Sequence, residues 1–221
     1  MSIFTFVAPN ELILEIPSHI RDRSQQAMQS FPNPLGKYQV FVNKLCLLTI
    51  LPWVQENFNA QARPYPSSSD AESLSELING IAIAAGSKRL IVIPSEAMDL
   101  SELRVAQEWV DIEGFVGDYY LSTQIETDDN YVRIWGYCTH QQLKAKGQYD
   151  PIDRTYSLSA DDLSMDVSNL VLTCQMGLEE TTKSVVAPFP KLGIEQAQNL
   201  ISRLGSSEVA IPRLQIPFEL W

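Results

Sequence analysis

Apolar residues along this chain repeat with two different spacings, and each spacing predicts a different kind of element. Near the amino terminus, residues 1–16 hold enough alternating apolar side chains for a short strand. Ser18 then stands where a helix cap belongs, and a helical spacing follows over His19–Ser30. Pro32 and Pro34 end this helix, because proline removes a backbone donor and constrains the residue before it.

A second helix is predicted over Leu35–Phe58. Its later half, Leu45–Leu51, is apolar nearly all round, which is typical of a buried helix. We expect Pro52 to kink or end the helix. The segment Asn59–Asp70 is rich in proline and serine, so it predicts a linker that follows a helical lobe of residues 1–58.

From residue 81 the spacing changes to the alternation that is typical of strands. Ile81–Ala84 and Leu90–Ile93 flank a turn at Gly86, which predicts a hairpin that stops at Pro94. Further strands are predicted over 103–105, 109–112, 119–126, 131–137 and 154–158.

The stretch 119–126 shows the clearest alternation. Leu121 and Ile125 are expected to point into the core, because alternate side chains of a strand share a face. The residues expected to point to solvent are Ser122, Gln124 and Glu126.

Helix signals return after residue 138. Thr139 and Gln142 have the spacing of a capping box, and Gly147 is a natural helix stop. Ser159–Leu163 predicts a further helical turn, with its acids at the positive end of the helix dipole. Helices are also predicted over 166–176 and 194–204, followed by an extended tail that contains proline.

These elements predict the α+β class. We expect an N-terminal helical region packed on a curled antiparallel β-sheet, with C-terminal helices. The sheet region is long enough to curl into a small SH3-like barrel. The predicted units are the helical lobe 1–58, the linker 59–70, the sheet region 71–165, and helices and tail 166–221 that are compact with the sheet.

Charge and composition narrow the function. The net charge of −11 opposes binding to the phosphate backbone of nucleic acid, and it favours a basic partner or simply solubility. The amino terminus lacks the basic start and cleavage site of a secretory signal. The longest apolar run, Leu45–Val54, is about half the length that a membrane-spanning helix needs. We therefore expect a cytoplasmic protein that has no nucleic acid or membrane partner.

Candidate chemistry is sparse. The three cysteines are far apart and the only histidines are His19 and His140, so we expect no metal site and no cofactor. Cys138 and His140 are the one pair of interest, because on a continuing strand they would share a face, and a thiolate beside an imidazole is a nucleophile. If the strand instead ends before the capping box, the imidazole points to solvent, and the capping box favours this second arrangement.

Acidic residues cluster between 108 and 118. Paired carboxylates can perform acid–base chemistry, so a hydrolase that uses these acids, or Cys138 and His140, is one alternative function. The acids also flank apolar side chains, which favours a solvated rim over buried aromatic residues. The four acids are Glu108, Asp111, Glu113 and Asp118.

Aromatic residues are concentrated in the same part of the chain. Tryptophan, tyrosine and arginine are favoured contact residues in protein interfaces, so this region is a candidate for partner binding. The alternative is that these side chains fill the core, which we favour for Trp109 and Trp135. The partner-binding candidates are Tyr119, Tyr120, Tyr131, Arg133, Trp135 and Tyr137.

Four longer motifs carry a family resemblance: Glu108-Trp-Val-Asp-Ile, Gly117-Asp-Tyr-Tyr-Leu, Val132-Arg-Ile-Trp-Gly-Tyr-Cys-Thr-His-Gln-Gln-Leu-Lys and Asp153-Arg-Thr-Tyr-Ser-Leu. Together they resemble a cyanobacterial family that is labelled only as domain of unknown function eighteen twenty-two. The resemblance is strongest over residues 85–221. The resemblance implies a regulatory or adaptor role, because members of that family often lie near genes for sigma factors and caspase-like proteases.

The sequence therefore predicts a non-enzymatic interaction module. Its expected partner is another protein that is basic, such as a sigma factor, or a caspase-like protease. The alternatives are the hydrolase described above, and a substrate or adaptor of a caspase-like protease that is cleaved in the linker 59–70.

Overall fold

A computed structural model describes residues 4–6, 12–65, 75–97 and 100–179, with side chains placed for 12–65, 75–97 and 100–174. The helices are α1 (Ser18–Met28), α2 (Pro34–Asn57), α3 (Glu108–Asp111), α4 (His140–Lys146) and α5 (Val167–Glu179), with a 3₁₀ turn over Ala160–Asp162. The strands are β1 (Phe4–Phe6), β2 (Leu12–Glu15), β3 (Arg63–Tyr65), β4 (Ile81–Ala85), β5 (Lys88–Ser95), β6 (Glu102–Ala106), β7 (Tyr119–Glu126), β8 (Tyr131–Thr139), β9 (Gln148–Asp150) and β10 (Thr155–Ser159).

Seven of the described strands form one sheet in the order β1-β2-β8-β7-β5-β4-β3, and the other three form a small sheet in the order β6-β10-β9. Every pairing is antiparallel except that of β5 with β7, which is parallel. The parallel pairing follows from the long connection between these strands, which contains β6 and α3 and returns the chain to the same end of the sheet. The predicted α+β class is confirmed, with a mixed rather than purely antiparallel sheet.

The large sheet remains open among the described residues, with β1 and β3 at its two edges. The closed SH3-like barrel that the sequence allowed is therefore not formed by these strands. Pro64 lies on the β3 edge, where a missing amide donor costs no hydrogen bond within the sheet.

The helices α1, α2 and α5 cover one face of the large sheet. The later half of α2 lies against this face, with Leu45, Ile50 and Val54 fully buried, as its all-round apolar surface predicts. Leu90 and Leu121 of the central strands complete the same core from the sheet side. We call this layer the helical core.

The opposite face packs against the small sheet, α3 and α4. Its core contains the largest fully buried side chains of the described chain, Trp109, Tyr120 and Phe115. Ile91 of β5 and Leu143 of α4 pack in the same cluster. We call this layer the second core, and the large sheet is shared between the two.

Because both faces of the sheet are covered, the predicted outward positions of β7 are wrong for two residues. Ser122 and Gln124 are buried, with 3% and 4% of their surfaces exposed. Only Glu126, at the strand end, keeps partial exposure. Alternation in the sequence distinguishes the two faces of a strand, but it does not reveal that a second layer covers the polar face.

The structure corrects three further local expectations, two about helices and one about a strand. Pro17 occupies the N-cap of α1, and Ser18 is the first helical residue with no capping hydrogen bond. Of the kink or the end expected at Pro52, the end does not occur, because α2 continues through Pro52 to Asn57. The predicted strand over 109–112 is wrong, because Glu108–Asp111 form α3.

Part of the predicted linker is a strand of the large sheet. Residues 63–65, inside the predicted linker 59–70, form β3 and pair with β4. The lobe 1–58 also shares the helical core with the strands. The predicted helix over 194–204 and the extended tail lie outside the described residues.

Candidate functional site

Three candidate residues of β8 lie together on one face of the large sheet. Val132 and Ile134 are fully buried in the helical core, so the residues that alternate with them point to the opposite face. Tyr131, Arg133 and Trp135 occupy that face, and each is half-buried. We call these three side chains the β8 surface. None of them belongs to the second core.

The surface is held in a fixed arrangement. The guanidinium carbon of Arg133 lies 5.6 Å from the ring centre of Tyr131 and 5.4 Å from that of Trp135, within the range of cation–π attraction. Trp135 Nε1 donates to Gln124 Oε1 at 3.0 Å. The amide of Gln124 in turn donates to Glu126 Oε1 at 2.6 Å, so the buried glutamine anchors the indole from β7.

A local irregularity of the sheet sets the position of Trp135. The register shifts between Ser122 and Thr123 of β7, which pair with Gly136 and Ile134, so Trp135 has no partner residue on β7. Such a bulge changes the direction of the strand and re-aims its side chains. The sequence gives no clear sign of this bulge.

Acidic side chains border the β8 surface. The exposed Glu15 of β2 lies opposite Tyr131, and Glu126 of β7 lies opposite it on the other side. Asp128 and Asp129 are exposed in the turn that joins β7 to β8. The surface therefore has an aromatic and cationic centre within an acidic border.

A further acid lies near this border. Burial raises the pKa of Glu96, and the negative charge of Glu126 adds to that increase against the opposing hydrogen bond from Tyr38. Burial and the bond to Glu96 likewise raise the pKa of Tyr38. The effect of Glu126 shows that Glu96 lies close to the border acids, and the raised pKa favours the uncharged form of Glu96.

The other aromatic candidates fill the two cores. Tyr120 is fully buried in the second core, whereas Tyr119 and Tyr137 lie in the helical core with ring centres 6.1 Å apart. Trp109 is also buried, as we expected from the sequence. Trp135, which we assigned to the core for the same reason, is half-buried instead.

Cys138 and His140 do not form a nucleophile pair in this structure. The capping box of Thr139 and Gln142 is present, so the strand ends and His140 becomes the first residue of α4. His140 Nδ1 lies 2.9 Å from the Tyr120 hydroxyl. The Cys138 thiol is fully buried, and burial raises its pKa to about 12, which favours the unreactive thiol over the thiolate.

The four acids of residues 108–118 are not brought together as a catalytic pair. Asp111 is bound by Lys144 and Tyr156, whereas Asp118 accepts a hydrogen bond from the Arg89 backbone amide at 2.8 Å. Burial acts to raise the pKa of Asp111, but the hydrogen bonds, led by that of Lys144, outweigh it and lower the pKa. Glu108 is buried at the start of α3, and Glu113 is exposed.

Sequence reasoning missed the polar cluster around Asp111. Lys144 Nζ lies 3.0 Å from Asp111 Oδ1 and 2.8 Å from the Tyr156 hydroxyl. The ring centre of Tyr149 lies 4.9 Å from that of Tyr156 with a tilt of 41°, and its hydroxyl donates to Gln107 Oε1 at 2.9 Å. These residues are up to 49 positions apart in the chain, so no local spacing could have found the cluster.

One pocket among the described residues offers little space for a small molecule. A pocket beside Asn43, Glu76 and Trp109 has a cavity volume of about 30 Å³, which suits about one water molecule. Among the described side chains, no group of three or more metal-ligating residues comes together. No helix in the described part of the chain is long and apolar enough to cross a membrane.

The fold and the site define a class: an α+β protein with two sheets that presents an ordered aromatic and arginine surface. The chain belongs to the family described as Protein of unknown function (DUF1822), whose family model matches residues 14–221. No curated protein and no solved structure matches the chain significantly. The match to the family model confirms the resemblance that the motifs indicated.

Proposed function

We propose that this protein is a non-enzymatic interaction module that binds a basic protein through the β8 surface. The observation that carries the proposal is the half-exposed arrangement of Tyr131, Arg133 and Trp135 within an acidic border. Tyrosine, arginine and tryptophan are the residue types that most often dominate the binding energy of protein interfaces.

The rigidity of the surface supports this function. The three side chains stand on a central strand whose other face is fully buried, and Gln124 fixes the indole of Trp135. Side chains that are already ordered lose less conformational entropy when a partner binds. A fixed surface of this kind suits recognition of another folded protein.

Charge supports a basic partner. The net charge of −11 and the border acids Glu15, Glu126, Asp128 and Asp129 attract Lys and Arg side chains. A basic transcription factor such as a sigma subunit is the first candidate, and a caspase-like protease is the second. We place the interaction in the cytoplasm, which three buried and unpaired cysteines support.

Site-specific photocrosslinking in the native cells tests the proposal. A photoreactive phenylalanine derivative replaces Ile13, which lies opposite Arg133 on β2, or, as the control, Tyr149 on the small sheet. We expect a discrete crosslinked protein from position 13 and none from position 149. Trp135→Ala should weaken the purified complex by about tenfold or more.

Two results would overturn the proposed function. One is the absence of a crosslinked protein at position 13, and the other is the same product in equal yield at position 149. The thermal midpoint of Trp135→Ala is measured in parallel, so that lost binding is not confused with lost folding. Binding to the purified partner should weaken as salt is added, because charge attraction is screened.

A further inference from the structure

The guanidinium of Arg133 is not paired with a carboxylate among the described residues. Its Nε is buried and has no hydrogen-bond partner. Within the described part of the chain, its one hydrogen bond runs from Nη2 to the Tyr131 hydroxyl at 3.5 Å, the upper limit of such a contact. The buried Nε is closed to a ligand, so the donors left for an external carboxylate are those of the Nη groups, whose charge no described carboxylate offsets.

The side-chain amide of Gln124, the residue that pairs with Arg133 on β7, is already bonded to other groups. Its Oε1 accepts from Trp135 and its amide nitrogen donates to Glu126. Arg104 on β6 is in contrast held by Asp153 at 2.8 Å. Arg133 therefore has guanidinium donors that no described carboxylate binds, although the chain has 27 acidic residues.

The shape of the site favours a planar anion. The rings of Tyr131 and Trp135 lie on either side of the guanidinium at similar distances. A carboxylate is planar and can accept two parallel hydrogen bonds from a guanidinium edge. Nucleic acid phosphates suit the guanidinium too, but the acidic border repels a polyanion.

We propose that Arg133 anchors a carboxylate of the partner, and that the border acids bind basic side chains on either side of that carboxylate. This inference rests on the proposed function and adds the charge pattern of the partner: one central Asp or Glu, or a carboxyl terminus, within a basic surface. Tyr131 and Trp135 form the walls of the carboxylate site.

Nuclear magnetic resonance of the full chain tests the carboxylate site with a defined probe. The probe is the blocked peptide acetyl-Lys-Lys-Glu-Lys-Lys-amide, and the matched control peptide has glutamine in place of glutamate. The readout is the Nε–H resonance of Arg133, which is assigned by its loss in Arg133→Lys. The Nε–H resonance of Arg104 serves as the internal control.

We expect the glutamate peptide to shift the Arg133 resonance and to bind about tenfold more tightly than the glutamine peptide, as a charge-assisted hydrogen bond predicts. Arg133→Lys should lose most of this preference, whereas Arg104→Lys should keep it. Equal binding of the two peptides, no shift at peptide concentrations of about 10 mM, or an equal shift of Arg104 would overturn the inference.

This experiment can fail separately from the proposed function. If position 13 crosslinks a partner but the two peptides bind equally, the interaction surface stands and the carboxylate anchor is wrong. If no partner is crosslinked, the proposed function fails whatever the peptides show.

Discussion

At the scale of single residues, Gly80 shows how closely the loop before β4 approaches the second core. Its φ is +117°, and a Cβ placed there would lie 2.8 Å from Ile93 Cδ1 and 2.9 Å from Trp109 Nε1. The Trp109 indole in turn donates to the Asn79 carbonyl at 3.0 Å. A side chain at position 80 would therefore strain the backbone and displace a buried tryptophan.

We predict that Gly80→Ala lowers the free energy of unfolding by about 2 kcal/mol or more, because backbone strain and a clash act together. Chemical denaturation measures the change. Gly36→Ala is the matched control, since it places alanine in the first turn of α2, where a Cβ meets a flexible leucine tip at 3.2 Å and Asn33 Cβ at an ordinary 3.9 Å. A Gly80→Ala protein as stable as wild type would contradict the packing described for Trp109.

His140 predicts a pH dependence at the same scale. Burial, with the nearby Lys144 adding to it, lowers the pKa of His140 below its ordinary value of 6.5. The unfolded chain therefore binds a proton at this histidine more readily than the folded chain. This contribution to stability is full above pH 6.5 and is lost as the pH falls below it.

Titration of the His140 ring by nuclear magnetic resonance should give a midpoint below 6.5. His140→Gln should reduce the loss of stability on acidification, because it removes this protonation. A midpoint above 6.5 in the folded protein would reverse the sign of the effect and contradict the burial of the ring.

At the scale of elements, local signals predicted the junction of β8 and α4 correctly. The Thr139 hydroxyl accepts a hydrogen bond from the backbone amide of Gln142 at 3.1 Å. In return, Gln142 Oε1 accepts one from the backbone amide of Thr139 at 2.8 Å. Both bonds lie within four consecutive residues, so the sequence alone encodes them. This cap also decides that His140 belongs to a helix and not to the strand of Cys138.

We predict that Thr139→Ala lowers the free energy of unfolding by about 1 kcal/mol, the usual effect of losing an N-cap. Thr139→Ser, which keeps the hydroxyl, is the control and should retain most of the stability. Thermal or chemical unfolding measures both. If the two variants were equally destabilised, the lost methyl group rather than the cap would be responsible.

Elements that depend on distant contacts were predicted less well. Residues 109–112 have the apolar content of a strand. Trp109 and Val110 nevertheless lie in the short helix α3, which follows β6, and both are buried in the second core. The irregularity opposite Trp135 likewise arises from the pairing of β7 with β8. Neither feature follows from the local sequence, because each is decided by which surfaces meet.

At the scale of the whole molecule, the large sheet joins two cores that lie on its opposite faces. Trp53 of α2 is buried in the helical core, and Trp109 is buried in the second core. Leu121 and Tyr120, neighbours on β7, belong to one core each. Loss of the central strand would therefore expose both cores at once.

We predict that both cores unfold in one transition. Two variants test this, each with one of Trp53 and Trp109 kept and the remaining tryptophans replaced by phenylalanine. In each variant, the fluorescence midpoint should coincide with the midpoint from far-ultraviolet circular dichroism, as two-state unfolding requires. An earlier loss of the Trp53 signal would show that the helical region of residues 1–58 unfolds independently of the sheet.

The sequence by itself determined the elements whose signals are local: α2, the strand pair β4 and β5, the capping box, and the α+β class. Hydrophobic spacing and capping residues act over a few positions, so they can be interpreted without the fold. The net charge likewise follows from composition alone.

Only the tertiary structure decided which candidate residues reach the surface. Tyr119, Tyr120 and Tyr137 are buried, whereas Tyr131, Arg133 and Trp135 stand half-exposed on one face of β8. The alternation of a strand separates its two faces, but the layer that packs against each face comes from distant parts of the chain. The side chains that remain available to a partner are therefore a property of the packed sheet.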